Sequence, residues 1–80
     1  MTDKKVSLML TCTDDEGCMV WFEPWGAEHF LARGDVFHVE IRGEGSGEVE
    51  VTHSTRGLSV STWPGGDFSV RNAAGKELPT

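Results

Sequence analysis

The sequence contains no tyrosine and only two cysteines, and its seven lysines and arginines are outnumbered by thirteen aspartates and glutamates. It has no apolar run long enough to cross a membrane. The basic residues do not cluster and the net charge is −6. Because nucleic acids and anionic membranes are bound through grouped Lys and Arg side chains, neither is expected as a partner. No apolar signal segment is present, which predicts a cytoplasmic protein unless a longer precursor has been processed.

The length limits what the chain can be. Eighty residues predict one small domain over residues 1–80, with 1–4 and 79–80 frayed. In so small a scaffold, burial of apolar surface barely offsets the entropy of ordering the chain. We therefore expect a marginally stable domain, or one that is stabilised by a partner chain, a metal or a disulfide.

Apolar and polar residues alternate along most of the chain, which is the pattern of half-buried strands. The clearest example is 36–42, where Phe37, Val39 and Ile41 share one face. The spacing predicts about seven to eight short strands and an all-β fold, either a small antiparallel β-sandwich or a barrel. The turns at 14–17 and 43–47 are expected to close hairpins between the strands on either side, and Pro64-Gly65 predicts a type II turn.

Cys12 and Cys18 flank the first of these turns. Across a hairpin they could lie close enough for a disulfide. Their spacing is not that of a zinc knuckle, and there is no second cysteine pair. Because cytosolic proteins are kept reduced, we expect two partly buried free thiols, with the disulfide as the alternative.

The three histidines, His29, His38 and His53, are spread over separate strands or loops. A small barrel can gather such residues into a metal site, as in the cupins. However, cupins carry two histidines one residue apart followed by a glutamate, and the chain has no such motif. We therefore expect no metal, no cofactor and no catalytic residues, and a metal-dependent cupin-like enzyme is only a third alternative.

The three tryptophans are the strongest sign of a binding surface. Alternation puts Trp21 and Trp63 opposite the apolar residues of their strands, and Trp25 follows Pro24 in a loop. Exposed aromatic residues commonly mark a protein or sugar contact. In a second interpretation Trp21 belongs to the core and Trp25 caps one open end of a sandwich. We favour this core interpretation for Trp21 and Trp25, and the exposed one for Trp63.

The block Glu23-Pro24-Trp25-Gly26, followed by Leu31, Gly34-Asp35 and Phe37, resembles a pattern in short bacterial β-proteins of unknown activity. In those proteins a Glu-Pro-Trp-Gly block precedes Leu-x-Pro-Gly-Asp/Glu and a strand, whereas here Arg33 stands in place of the proline. The resemblance covers about residues 20–41. It implies a compact β-fold and no particular chemistry.

Two classes of function follow from these features. The first is a non-catalytic interaction or accessory module that binds a protein partner, or a second copy of itself, through an exposed aromatic face. The second is a barrel that binds a sugar or another small molecule by stacking on tryptophan, with carboxylates as hydrogen-bond acceptors. For either class the candidate binding residues are Trp21, Trp25, Trp63, Glu23 and Glu28.

Overall fold

The computed structural model describes residues 3–45 and 47–80, and it confirms the predicted all-β fold. Met1, Thr2 and Ser46 lie outside the described residues, and with them part of the expected frayed N-terminus and of the 43–47 loop. The strands are β1 (Lys4–Thr11), β2 (Cys18–Glu23), β3 (Ala27–Leu31), β4 (Val36–Gly43), β5 (Glu50–Ser54), β6 (Gly57–Ser61), β7 (Gly66–Arg71) and β8 (Glu77–Leu78). In this part of the chain there is no helix that could cross a membrane.

The strands form two separate four-stranded sheets packed as a sandwich, not a closed barrel. Sheet A has the order β1-β4-β7-β8, and sheet B has the order β3-β2-β6-β5. The alternation read from the sequence explains which side of each strand faces inward. On β4, for example, Phe37, Val39 and Ile41 are buried, whereas His38 and Arg42 are exposed.

The core lies between the two sheets. It is made of residues whose side chains are almost fully buried: Leu10, Cys12, Val20, Phe22, Leu31, Phe37, Val39, Ile41, Val60, Trp63 and Val70. The inner rows of β2 and β6 agree with the sequence, because Val20, Phe22 and Val60 belong to this cluster and Leu58 packs against it.

The strand partners differ from the expected hairpins. The first hairpin is wrong, because β1 pairs with β4 whereas β2 pairs with β3 and β6. The second is wrong as well, because β4 is in sheet A and β5 is in sheet B. The expected antiparallel arrangement also has an exception, since β2 and β6 run parallel, with Val20 opposite Leu58. The chain therefore passes from one sheet to the other between β1 and β2 and again between β4 and β5.

The turn after β6 also differs from the prediction. The Gly66 amide donates to the Trp63 carbonyl at 2.9 Å, so Pro64 and Gly65 do lie at the centre of a turn. Gly65 does not have the positive φ that position i+2 of a type II turn requires, so the predicted turn type is wrong. The turn passes the chain from β6 in sheet B to β7 in sheet A.

Cys12 and Cys18 form a disulfide, which corrects the expectation of two free thiols. Cys12 follows β1 of sheet A, and Cys18 opens β2 of sheet B. The two Cα atoms are 6.0 Å apart. The disulfide thus fastens the two sheets together at one end of the sandwich, and does not cross-link a hairpin.

Candidate functional site

The outer side of sheet B carries an aromatic surface. Trp21 lies there because its neighbours in register, Glu28 on β3 and Ser59 on β6, share the outward side of the sheet. Met19 and Phe30 form the adjacent outward pair. We call this surface the Trp21 face and define it by Met19, Trp21, Glu28, Phe30, Arg56 and Ser59.

The Trp21 side chain is held on both sides by polar partners. Its indole Nε1 donates a hydrogen bond to Glu28 Oε2 at 2.9 Å. The Arg56 guanidinium carbon lies 5.7 Å from the centre of the indole ring, which is the geometry of a cation–π contact. Trp21 is half-buried and is outside the buried core cluster, so the favoured interpretation of Trp21 as a core residue is wrong. The ring is therefore fixed in position on the surface, and the sandwich interior is filled without it.

Gly57 provides the space that the Trp21 ring occupies next to β6. A Cβ atom at Gly57 would come within 3.0 Å of Trp21 Cζ3 and would also clash with the Met19 carbonyl oxygen. The φ angle of Gly57 is 144°, in the region that side chains other than glycine rarely adopt. This position thus requires glycine, and its missing side chain leaves room for the indole.

Phe30 extends the aromatic surface toward the other end of β2. Its side chain is 59% exposed. The ring packs over Gly17, where any side chain would collide with it. Met19 is half-buried; it is opposite Phe30 in the register and lies two residues before Trp21 on β2. The two aromatic rings and the thioether therefore form one apolar strip across β3 and β2.

Acidic side chains lie on the same outward side of sheet B as this strip. Glu23 and Glu50 are both opposite Ser61 in the register, so they lie on the same outward side of sheet B as Glu28. Arg56 is the cation that contacts the strip. The outer side of sheet A is different: there Glu40 forms ion pairs with Lys5 and with Arg42, each at 3.3 Å. The Trp21 face thus combines apolar surface with Glu28 and Arg56, and Glu23 and Glu50 lie beyond it on the same side of sheet B.

A shallow polar hollow of about 280 Å³ opens beside Trp21. It is lined by Trp21, Glu23, Ser54, Arg56 and Ser59. The hollow offers hydroxyl, carboxylate and guanidinium groups next to an aromatic ring. This is the mixture of groups that a sugar or a polar peptide side chain would need.

Trp25 is not on this face. It lies in the turn after β2, where its ring is 54% exposed and contacts Phe68 edge-on with ring centres 5.9 Å apart. Phe68 in turn contacts Phe22 of the core at 5.2 Å. Trp25 therefore covers one end of the sandwich, as the capping interpretation predicted, while it keeps half of its surface exposed.

Trp63 is a core residue, and the prediction that it faces outward is wrong. Only 3% of it is exposed, and its Nε1 donates to the Glu44 carbonyl at 2.9 Å. The Lys4 ammonium lies 5.3 Å from the ring centre. The prediction failed because β6 ends at Ser61. Beyond that residue the chain leaves the sheet, so the alternation of sides no longer applies.

The three histidines are distant in sequence and have different surroundings in the structure. His29 Nε2 donates to the Pro79 carbonyl at 2.6 Å, which holds the C-terminal segment against β3. His38 and His53 are exposed on β4 and β5. Over residues 3–45 and 47–80 there is no group of three His, Cys, Asp or Glu side chains that could hold a metal ion.

Of the predicted binding residues, the structure places Trp21, Glu23 and Glu28 on one surface, whereas Trp25 and Trp63 lie elsewhere. The sequence interpretation missed Phe30, Arg56 and Gly57. Phe30 could have been found from the alternation of β3, where it follows the outward Glu28 by two residues. Arg56 and Gly57 could not have been assigned to this surface from the sequence. They belong to the turn before β6, and only the pairing of β6 with β2, which is distant in sequence, brings that turn next to Trp21.

Comparison of the chain with protein-family models, with curated proteins and with solved structures gives no match. The likeness of residues 20–41 to short bacterial β-proteins therefore stays a prediction. The arguments that follow depend on the geometry of the chain itself.

Proposed function

We propose that this chain is a non-catalytic module that binds a protein partner through the Trp21 face. The observation that carries the proposal is the placement of Trp21 between Glu28 and Arg56 on the outer side of sheet B, with Phe30 exposed on the same side. A contiguous apolar patch with a polar rim on a protein surface commonly marks an interaction site.

The composition of the face is that of a protein-binding site. Tryptophan and arginine are the residues most enriched where a few side chains supply most of the binding energy. Here Arg56 and Trp21 are in contact with each other, and the hydrogen bond to Glu28 holds the indole in one orientation. A side chain that is already ordered loses less entropy on binding, which favours affinity.

The charge around the strip indicates the partner. Glu28 is beside Trp21, Glu23 and Glu50 lie beyond it at one end of the strip, and the whole chain has a net charge of −6. A partner surface with an apolar centre and a basic rim would match both features. We therefore propose a basic protein as the partner.

Carbohydrate binding is the second candidate, and the polar hollow beside Trp21 favours it. Sugars stack on the open face of an aromatic ring, and their hydroxyl groups need carboxylate acceptors. In this protein the Arg56 guanidinium already lies over the Trp21 ring. A sugar would have to displace it, which is why the protein partner is the better match.

The test is differential capture from an extract of the source organism, with three forms of the chain as bait. These are the unchanged protein, Trp21→Ala, and Trp25→Ala as a matched control that removes an exposed tryptophan from another surface. We expect a basic protein to be retained by the unchanged chain and by Trp25→Ala and to be lost with Trp21→Ala. For the purified pair, calorimetry should show at least about a 30-fold weaker affinity for Trp21→Ala, as for other central interface residues.

Two outcomes would contradict the proposal. One is that no retained protein depends on Trp21 while far-UV circular dichroism shows Trp21→Ala to be folded. The other is binding to a glycan array that is lost with Trp21→Ala, which would establish the carbohydrate candidate instead.

A further inference from the structure

Strand β1 is a long open edge. In the described part of the chain it pairs only with β4, over all eight residues from Lys4 to Thr11. The backbone N–H and C=O groups on its other side therefore have no strand beside them. At the opposite edge of sheet A, β8 has only two residues. Long unpaired edges are the usual templates for pairing with another chain.

Strands β1 and β5 lie at the same margin of the sandwich. At one end Lys4 Nζ donates to the carbonyl of Gly47, shortly before β5. At the other end Thr11 and His53 line a common hollow next to the disulfide. Since β1 and β5 are the edge strands of their sheets, the sandwich is open along this margin.

Apolar side chains are left uncovered there. Val51 of β5 is opposite the buried Val60, so it faces the inside of the sandwich, yet it is 49% exposed. Met9 of β1 is 67% exposed on the outer side. Val6 and Leu8 point inward from β1 but are only partly buried. The margin thus shows apolar surface together with free backbone groups.

Charged residues do not protect the middle of this edge. Proteins often block an open edge with lysines, and β1 begins with two. However, Lys4 is turned toward Gly47 and Trp63, and Lys5 is paired with Glu40. From Val6 to Leu10 the edge carries no charge.

We infer that β1 pairs antiparallel with β1 of a second copy of this chain, about a two-fold axis through Leu8. In that register Leu8 faces Leu8 and Val6 faces Leu10 on the inner side, while Ser7 faces Met9 and Lys5 faces Thr11 on the outer side. No lysine is opposite a lysine. The two copies of sheet A become one sheet of eight strands, and the same axis brings the two β5 strands together over Val51.

The charges at the ends of β1 favour a second copy as the occupant. The strand begins with Lys4 and Lys5 and is followed by Asp14, Asp15 and Glu16. Lys5 and Asp15 form ion pairs with Glu40 and Arg33 of the same chain, but more than half of each side chain remains exposed to a partner. Antiparallel pairing sets the basic end of each copy next to the acidic loop of the other, and the two-fold axis makes this contact twice. A parallel arrangement would set like charges together at both ends. Electrostatic complementarity of this kind selects partner and orientation.

A cysteine scan along β1 tests the register. Residues directly opposite each other on paired strands have Cβ atoms about 4.5–5.5 Å apart, and diagonal neighbours about 7–8 Å. In the full chain Leu8→Cys should therefore form a disulfide-linked dimer in air, visible on a non-reducing gel. Ser7→Cys and Met9→Cys are the matched controls and should cross-link much less, since their own copies are diagonal to them.

Charge exchange tests the surface independently. Ser7→Lys with Met9→Lys sets lysine opposite lysine twice, and it should weaken the dimer more than about tenfold by sedimentation equilibrium. Ser7→Glu with Met9→Lys sets glutamate opposite lysine and should restore it. Ala73→Lys with Ala74→Lys adds the same charge in an exposed turn next to β8 and should leave the dimer unchanged.

The inference is overturned by three results. The first is that the protein is a monomer at every concentration and Leu8→Cys forms no cross-link. The second is a dimer whose dissociation constant does not change with the charge substitutions at Ser7 and Met9. The third is a dimer that is lost with Trp21→Ala. The last result would place the contact on the Trp21 face, so failure here is distinguishable from failure of the proposed function. A dimer that follows the charge pairs and cross-links at Leu8 supports it.

Discussion

Removal of the Trp63 side chain should destabilise this protein severely, although the sequence alone favoured an exposed residue. Truncation of a buried aromatic to alanine costs about 3–5 kcal/mol. We expect Trp63→Ala to lie at the upper end, because it also removes the hydrogen bond to the Glu44 carbonyl and the contact with Lys4. Domains of this kind have only about 5–15 kcal/mol of stability in total. A loss of about 5 kcal/mol would remove at least a third of that stability.

Trp63→Phe separates the contributions of the ring and of the N–H group. It keeps an aromatic side chain in the core and removes the indole Nε1, which donates to Glu44 at 2.9 Å. The loss of one net hydrogen bond costs about 0.5–1.5 kcal/mol, and the smaller ring leaves some unfilled space. We therefore expect Trp63→Phe to lower the free energy of unfolding by about 2 kcal/mol.

The assay is urea unfolding followed by far-UV circular dichroism, with linear extrapolation to water. Trp25→Ala is the matched control, because Trp25 is 54% exposed and loses mainly its contact with Phe68. It should cost about 1 kcal/mol. If Trp63→Ala were as stable as Trp25→Ala, the burial of Trp63 and the core described above would be refuted.

Two further predictions concern the connection between the sheets and the support of the Trp21 face. Reduction of the Cys12–Cys18 disulfide, or replacement of both cysteines by serine, should lower the free energy of unfolding by about 2 kcal/mol. This is the stabilisation expected when a bond closes so short a loop and thereby lowers the entropy of the unfolded chain. Urea titrations with and without reductant measure this, and equal midpoints would contradict it. Gly57→Ala should cost about 1–3 kcal/mol because its backbone conformation excludes a side chain. Ser59→Ala on the same strand is its control and should change the thermal midpoint little, and equal midpoints for the two variants would argue against the role of Gly57.

The sequence predicted the strands well because their signal is local. Alternation along 36–42 identified β4 and its buried side. Such a pattern states which way each side chain points. It contains no information on which strand lies beside which.

The strand partners could not be derived for that reason. The turn at 14–17 has the residues of a hairpin turn, and its Gly17 amide does bond to the Asp14 carbonyl. The strands it connects nevertheless belong to different sheets, because β1 finds its partner in β4 and β2 in β6. The Trp21 face depends on the same distant pairing, which is why Arg56 and Gly57 could not be assigned to it beforehand.

The order of the strands has a consequence for how the protein folds. The chain passes between the sheets four times, after β1, β3, β4 and β6, so neither sheet is a continuous piece of sequence. The pairs β1–β4 and β2–β6 join residues that are far apart in the chain. Sheets rich in such distant pairs fold in about milliseconds to seconds, more slowly than helical bundles. Each sheet needs strands from both ends of the chain, so we expect the sandwich to unfold in one cooperative transition, as small domains usually do.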